Sequence, residues 1–314
     1  RRWGFCLPDR LRTSLPEGRY HAVIRSRLEP GSLTYGELIL PGRSSSEVLL
    51  STYVCHPSMA NNELSGPVVT TALARHLASL PERRHTYRIV FVPETIGSIV
   101  YLSRHIEAMR RNVVAGFVVT CVGDDRAHSI LQSPRGDTLA DRIGLHALRH
   151  GPREFAVWDH LTRGSDERQY CSPGVDLPVV SVMRSKYATY PEYHTSADDL
   201  TLVTPAGLSG GYRAIADCLE ILEKDGFYRS TTPCEPQLGK RGLYPTISTR
   251  ESGMAARDTI NVLAFADGSR DLVGLADRID RSALEILPII ERLEQHGLLE
   301  RLDHPFEPDA ERTR

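Results

Sequence analysis

Apolar positions fall first into two β-prone runs and then into an alternation of strands and helices. Tyr20 to Leu28 and Thr34 to Leu40 are strand-like, and the turn signal Glu29-Pro30-Gly31-Ser32 between them predicts a hairpin. From Glu47 the pattern changes. Val48 to Val54 is a short apolar strand, Leu64 to Leu77 has helical spacing, Tyr87 to Val92 is a strand, Ile99 to Met109 a helix and Val113 to Val122 a strand. Val179 to Met183, entered through Pro178, adds a further strand, and Pro205 to Leu222 a long closing helix. Apolar strands separated by helices predict an α/β fold, with a parallel or mixed sheet covered by helices on both faces.

Thr231 to Arg250 is rich in Pro, Gly and Thr and reads as a linker. A second unit starts near Arg257. It offers helical patterns over Ile260 to Phe265, Leu272 to Ile279 and Ala283 to His296, a turn at Asp267-Gly268, a stop at Gly297 and a wing-like strand over Leu298 to Leu302. Three short helices and a strand in about 50 residues predict a winged helix.

The 314 residues have room for one large domain and a small one, and a formal net charge of -2 provides no global basic field for nucleic acid. Locally the balance is acidic: Glu251 to Leu302 holds ten acidic residues against six arginines, whereas a DNA reader carries a basic face. The expected helix over Ala283 to His296 carries Glu285, Glu291 and Glu294 against Arg292, and Pro288 interrupts it. Nucleic acid is therefore not an expected partner. A homo-oligomeric or intramolecular contact suits the C-terminal module better. Cys6, Cys55, Cys121, Cys171, Cys218 and Cys234 form no CxxC pair, which predicts reduced intracellular thiols. No apolar run approaches the roughly 18 residues of a membrane span, so a cytoplasmic location is expected. The sequence opens Arg1-Arg2-Trp3 without Met, which suggests a fragment or a processed form.

In doubly covered sheets, ligands collect beyond the carboxyl ends of the strands. Those ends carry Cys55-His56-Pro57-Ser58, Pro93-Glu94-Thr95, Cys121 to Asp125 and, at some remove, Tyr193-His194-Thr195. His56, followed by Asn61-Asn62-Glu63-Leu64-Ser65-Gly66, can aim an imidazole and a carboxylate at one point; the same loop reads equally as a helix cap with a structural histidine. Glu94 is a lone carboxylate at the end of an apolar strand. Burial would raise its pKa and suit a general base, or it is a first-turn helix charge. His194 stands out among twelve histidines because Asp198 is placed to orient its other ring nitrogen. Tyr187, Tyr190 and Tyr193 either line a pocket or belong to a half-buried loop.

The order of these motifs resembles the co-catalytic zinc aminopeptidases. More closely, Cys55 to Pro67, Pro93 to Ser98, Gly164 to Gln169 and His194 to Asp198 resemble a bacterial family of aminopeptidase-like proteins with a β-rich insert and a C-terminal winged helix. The resemblance implies a zinc exopeptidase fold with a remnant of the insert at 1–42, the α/β domain at 43–230, a linker at 231–250 and a winged-helix-like domain at 251–314. It also implies that the first part of the peptidase domain is absent. Where the two-zinc pattern expects an aspartate after His-x, a bridging aspartate, a second glutamate and a further aspartate, this chain has Ser58, Asn62, Thr95 and Thr120.

A single zinc per chain is the expectation that remains, held by His56, His194 and one carboxylate, the ligand set of carboxypeptidases of related fold. Glu63 is the expected third ligand because it adjoins Asn62 in the bridging place, with Asp166 and Asn62 itself in reserve. Glu94 is the expected general base, and Arg163, Arg168 and Tyr193 are expected at the substrate. The predicted activity is hydrolysis of a peptide or peptide-like small molecule. A catalytically degenerate binding or scaffold protein and a small-molecule-responsive DNA-binding regulator are the alternatives.

Overall fold

The computed structural model describes residue 4 and residues 6–152, 154–243 and 250–306. The chain divides into two compact units, Arg1–Asp141 with Glu154–Arg213, and Arg142–Arg153 with Ala214–Arg314. The first unit is organised on a seven-stranded sheet. Its elements begin with α1 (Asp9–Ser14), β1 (Gly36–Leu40) and β2 (Glu47–Tyr53), followed by α2 (Ser65–Ser79), β3 (Thr86–Val92), α3 (Ile96–Asn112) and β4 (Val113–Val118). Then come β5 (Ser129–Leu131), α4 (Leu139–His150), β6 (Ala156–Trp158), α5 (Glu167–Tyr170), β7 (Val179–Met183) and α6 (Pro205–Lys224); α4 and α6 each continue into the second unit.

The strand order is β1-β3-β2-β4-β7-β5-β6. Strands β3, β2, β4 and β7 run parallel, β1 is antiparallel to β3, and β5 is antiparallel to β7, so the sheet is mixed as expected. All seven residues of β2 are buried, as a central strand covered on both faces requires. Its polar side chains are satisfied inside the sheet. Glu47 takes two bonds from Arg88 at 2.6 and 3.0 Å, Ser51 meets the Tyr170 hydroxyl at 2.8 Å, and Thr52 donates to the Val119 carbonyl at 2.9 Å.

The hairpin expected over Tyr20 to Leu40 does not form. Residues 19–35 contain no helix or strand, and Tyr20, Val23, Ile24 and Leu28 are exposed. A β-prone run becomes a strand only where it finds a neighbour to pair with. Gly36–Leu40 finds one in β3 and joins the main sheet as an exposed edge strand.

In the second unit, β8 (Phe227–Ser230), α7 (Arg250–Phe265), β9 (Asp267–Asp271), α8 (Leu272–Arg278), α9 (Ala283–Gln295) and β10 (Leu299–Leu302) form helices around a three-stranded sheet ordered β10-β8-β9. The wing-like strand is present. Its central neighbour, β8, lies upstream of the segment expected as a linker, and the expected turn at Asp267-Gly268 opens a strand. Among the described residues no helix is long and apolar enough to cross a membrane, and all six cysteines are free.

Candidate active site

Beyond β2 the chain leaves the sheet at Cys55 and His56 and returns through a π-helical turn, Ala60–Leu64, that runs directly into α2. Such turns recur at functional sites because the extra residue per turn redirects side chains. Asp198, fully buried, holds this one in place. Its carboxylate accepts the backbone N–H of Asn61 at 2.6 Å and of Asn62 at 3.0 Å, and its own carbonyl accepts Ala60 N–H at 3.0 Å. Gly66 is required behind the turn, since a Cβ there would lie 2.4 Å from the Val119 carbonyl oxygen and 2.5 Å from Thr52 Oγ1.

The turn carries Glu63 inward to 2 % exposure. One carboxylate oxygen lies 2.7 Å from His56 Nδ1 and the other accepts Cys55 N–H at 2.7 Å. A carboxylate on Nδ1 fixes the proton there and leaves Nε2 with the lone pair, the arrangement that metal-binding imidazoles usually show. The His194 ring stands 4.6 Å from that of His56, centroid to centroid, tilted by 53°, and stacks on Tyr193 at 4.0 Å. Burial and the neighbouring His56 ring push the His194 pKa down, which favours its neutral form.

Glu94 follows β3 on a strained turn. Thr95 has φ 63° and ψ -65°, and Ile96 N–H bonds back to the Glu94 carbonyl at 2.7 Å. This is the positive-φ form of the γ-turn, rare and strained, and unusual for a β-branched residue. Asp166 holds it: one oxygen accepts Thr95 N–H at 2.7 Å and the Ser98 hydroxyl at 2.9 Å. Arg168 adds a bond to Thr95 Oγ1 at 2.7 Å. Gly97 lets α3 start hard against the strand, for a Cβ there would meet Pro93 Cδ at 2.5 Å. Burial, with Glu63 nearby, raises the Glu94 pKa as a general base requires. Burial likewise pushes Asp166 up to about 7 against its two hydrogen bonds.

The structure thus brings His56, Glu63, Glu94 and His194 to one end of the sheet and gives other residues different work. Asp198, expected to orient His194, spends its oxygens on Asn61, Asn62 and the Tyr190 hydroxyl at 3.3 Å. Glu63, expected as a ligand, is engaged by His56 and Cys55. Asp166 grips the Thr95 turn. Arg163 is exposed and donates to the His160 carbonyl at 3.2 Å, while Arg168 is exposed beside Thr95. Asn62 and Thr120, standing where carboxylates were expected, are knitted together: Asn62 Nδ2 donates to the Tyr53 hydroxyl at 2.8 Å, and that hydroxyl lies 2.6 Å from Thr120 Oγ1. Among the described residues Asn62 Oδ1 is buried without a hydrogen-bond partner.

Two residues were missed. Cys55, His56 and Glu63 offer donor atoms within 4.8 Å of one another; the strand-end position of Cys55 was the available signal. Glu167 is fully buried between Asp166 and Arg168 and accepts from Gly164 N–H, Ser165 N–H and the Tyr187 hydroxyl at 2.9, 3.0 and 2.6 Å. In the second unit His146, His150 and Asp277 also converge. There His146 Nδ1 meets Asp277 at 2.7 Å and Nε2 accepts Ala283 N–H at 2.8 Å, so both ring nitrogens are committed and the histidine is structural.

Residues 4–225 match the family described as a domain of unknown function, DUF4910. The chain belongs to this family. Residues 226–301 match a winged helix-turn-helix family, which agrees with the fold of the second unit. A Clostridium acetobutylicum relative, provisionally named for polysaccharide biosynthesis and an aminopeptidase-like domain, is 44% identical over 246 residues, covering 78% of this chain and 56% of that protein. A crystal structure from the same organism, provisionally named a peptidase, superposes with a TM-score of 0.80 at 38% identity, covering 88% of this chain and 62% of that one. An aminopeptidase from Aneurinibacillus sp. strain AM-1 superposes with a TM-score of 0.50 at 17% identity, over 60% of this chain and 47% of that one, and shares the fold. The chain spans a little over half the length of the curated relative. The expected resemblance to aminopeptidase-like proteins with a C-terminal winged helix is borne out.

Proposed function

We propose that this chain carries the site of an aminopeptidase-like, metal-dependent amide hydrolase acting on peptide or peptide-like small molecules. The observation that carries the reading is the convergence of two imidazoles, His56 and His194, with the Glu63 carboxylate behind one of them and Glu94 beside them. Imidazole nitrogens backed by a carboxylate are what zinc takes, and a buried Asn62 Oδ1 lacking any donor is an acceptor that a cation or a substrate N–H would satisfy. A zinc held by His56 and His194 would supply Lewis-acid polarisation of the scissile carbonyl at neutral pH. Glu94, its pKa raised by burial, takes the proton of the attacking water and returns it to the leaving amine. Asp166 and Arg168 keep its backbone in the strained turn from which it reaches the site. Glu63 holds the His56 ring.

Elemental analysis of purified protein is expected to find about one zinc per chain. Glu94→Ala is expected to keep that zinc and lose turnover of aminoacyl amides. Folded protein that binds no zinc would overturn the reading.

A degenerate binding protein is the second reading, favoured by the Asn62–Tyr53–Thr120 hydrogen bonds that occupy the places of expected carboxylates. Zinc-loaded protein that hydrolyses no aminoacyl or N-acyl amide yet binds one of them would select it.

A further inference from the structure

We propose that Lys186, with the indole N–H of Trp158, forms a subsite for a carboxylate carried by the substrate, an inference that rests on the amide-hydrolase reading above and names its substrate class. Lys186 lies just past β7, beyond the carboxyl end of a strand that runs parallel to β4 and β2. It is 5 % exposed, and its Nζ lies 4.2 Å from the centroid of the Tyr187 ring and 5.5 Å from that of Trp158. A buried ammonium is costly without partners. Among the described residues Lys186 joins no ion pair, and its hydrogen bond to the Tyr187 carbonyl is long, at 3.4 Å.

The buried arginines of the same unit are provided for. Arg88 donates to Glu47 and Glu37, while Arg184 donates to the Asp124 carbonyl at 2.7 Å and meets His128. Glu167 acts on Lys186 electrostatically, but its Oε1 is held by Gly164 N–H, Ser165 N–H and the Tyr187 hydroxyl. A second donor stands beside the ammonium: Trp158 Nε1 is buried and, among the described residues, has no hydrogen-bond partner. Two under-used donors, one of them charged, suit a carboxylate, which accepts on both oxygens. Packing joins them to the reaction centre. Trp158 and Tyr193 lie against one apolar cluster that includes Cys121, Tyr187 and Tyr190, and Tyr193 stacks on His194. Burial pushes the Lys186 pKa down against the pull of Glu167, and a bound carboxylate would hold its charge.

Calorimetry on the zinc-loaded full chain carrying Glu94→Ala reads affinity without turnover. Two ligand pairs exchange only a carboxylate for an amide: glutamyl anilide against glutaminyl anilide, and leucyl-glycine against leucyl-glycinamide. The first places the carboxylate on the acyl side of the scissile bond, the second on the amine side. In one of the pairs the acid is expected to bind about 10- to 100-fold tighter, the worth of hydrogen bonds to a charged group, and Lys186→Met should abolish the difference. Replacing a buried charge by an apolar chain of similar volume is often neutral or stabilising, so that variant is expected to melt no lower than its parent. Trp158→Phe, which keeps a ring and deletes the N–H, should reduce the preference about two- to tenfold and decides the matter if Lys186→Met fails to fold. Equal binding of acid and amide in both pairs, or a preference that survives these substitutions, overturns the subsite. An acid preference in a chain whose wild type hydrolyses no amide leaves the subsite standing and overturns the hydrolase reading; turnover without the preference does the reverse.

Discussion

Glu63 shows what a single side chain's surroundings decide. In the sequence it is an acid beside a vacated ligand place, and nothing in its neighbours says which way it faces. The π-helical turn faces it toward His56 Nδ1 and Cys55 N–H, so it sets a tautomer and a ring orientation. Glu63→Gln is expected to weaken zinc binding by about 10- to 100-fold, because the amide NH2 would oppose one of the two donors that the carboxylate now accepts. Chelator competition measures this, and an affinity equal to wild type would remove Glu63 from the site. Glu94 and His194 were legible as strand-end residues in the right order. The partners of Asp198 and Asp166 were not, because they grip backbone N–H groups of Asn61, Asn62 and Thr95, and a backbone amide has no signature in a sequence. The strain at Thr95, of order 1–3 kcal/mol for such a conformation, was equally invisible.

The elements were readable wherever burial dictated composition. β2, β3, β4 and β7 are near-continuous apolar runs, and the helices between them carry the expected spacing. What escaped are short pieces: β5 and β6 have three residues each, too few to show a period, whereas β1 lies within the strand expected over Thr34 to Leu40 and differs only in pairing with β3. The junction of the π-helical turn with α2 is the element on which the site depends most. Replacing a helical glycine by alanine ordinarily gains up to about 1 kcal/mol in helix propensity. At Gly66 the added Cβ would stand 2.4 Å from the Val119 carbonyl oxygen and 2.5 Å from buried Thr52 Oγ1, and neither can retreat from the sheet. Overpacking of this kind costs about 1–3 kcal/mol and outweighs the propensity gain. Gly66→Ala is therefore expected to lower stability by about 2 kcal/mol in chemical denaturation and to weaken zinc binding with it, since the turn carrying Glu63 must shift. Stability at or above wild type would show that the turn is not held against the sheet as described.

At the scale of the whole molecule, a winged helix-turn-helix unit in a chain with an aminopeptidase-like fold invites a regulator's role, and the charge balance of that unit argues against it. Binding of duplex DNA draws most of its affinity from phosphate neutralisation by unpaired cations. Among the described residues of the second unit, six basic side chains pair with acids of the same unit. Lys224 pairs with Glu291 at 2.8 Å, Arg270 with Asp267 at 2.8 Å, Arg281 with Asp258 at 3.0 Å and Arg149 with Asp277 at 3.2 Å, while Arg142 pairs with Asp271 and Arg229 with Glu300. Arg278 is packed over the Phe265 ring at 4.3 Å. Helix α9, in the place of a recognition helix, carries Glu285, Glu291 and Glu294 against Arg292. Fluorescence anisotropy with labelled duplexes is expected to show no saturable binding below about 100 μM at physiological salt, the weak end of non-specific association. Lowering the salt should recover little affinity, since these six pairs and the acidic balance of the unit oppose phosphate neutralisation. A dissociation constant near 1 μM or tighter, falling steeply with added salt, would mean that these ion pairs open on DNA and would return the regulator reading to first place.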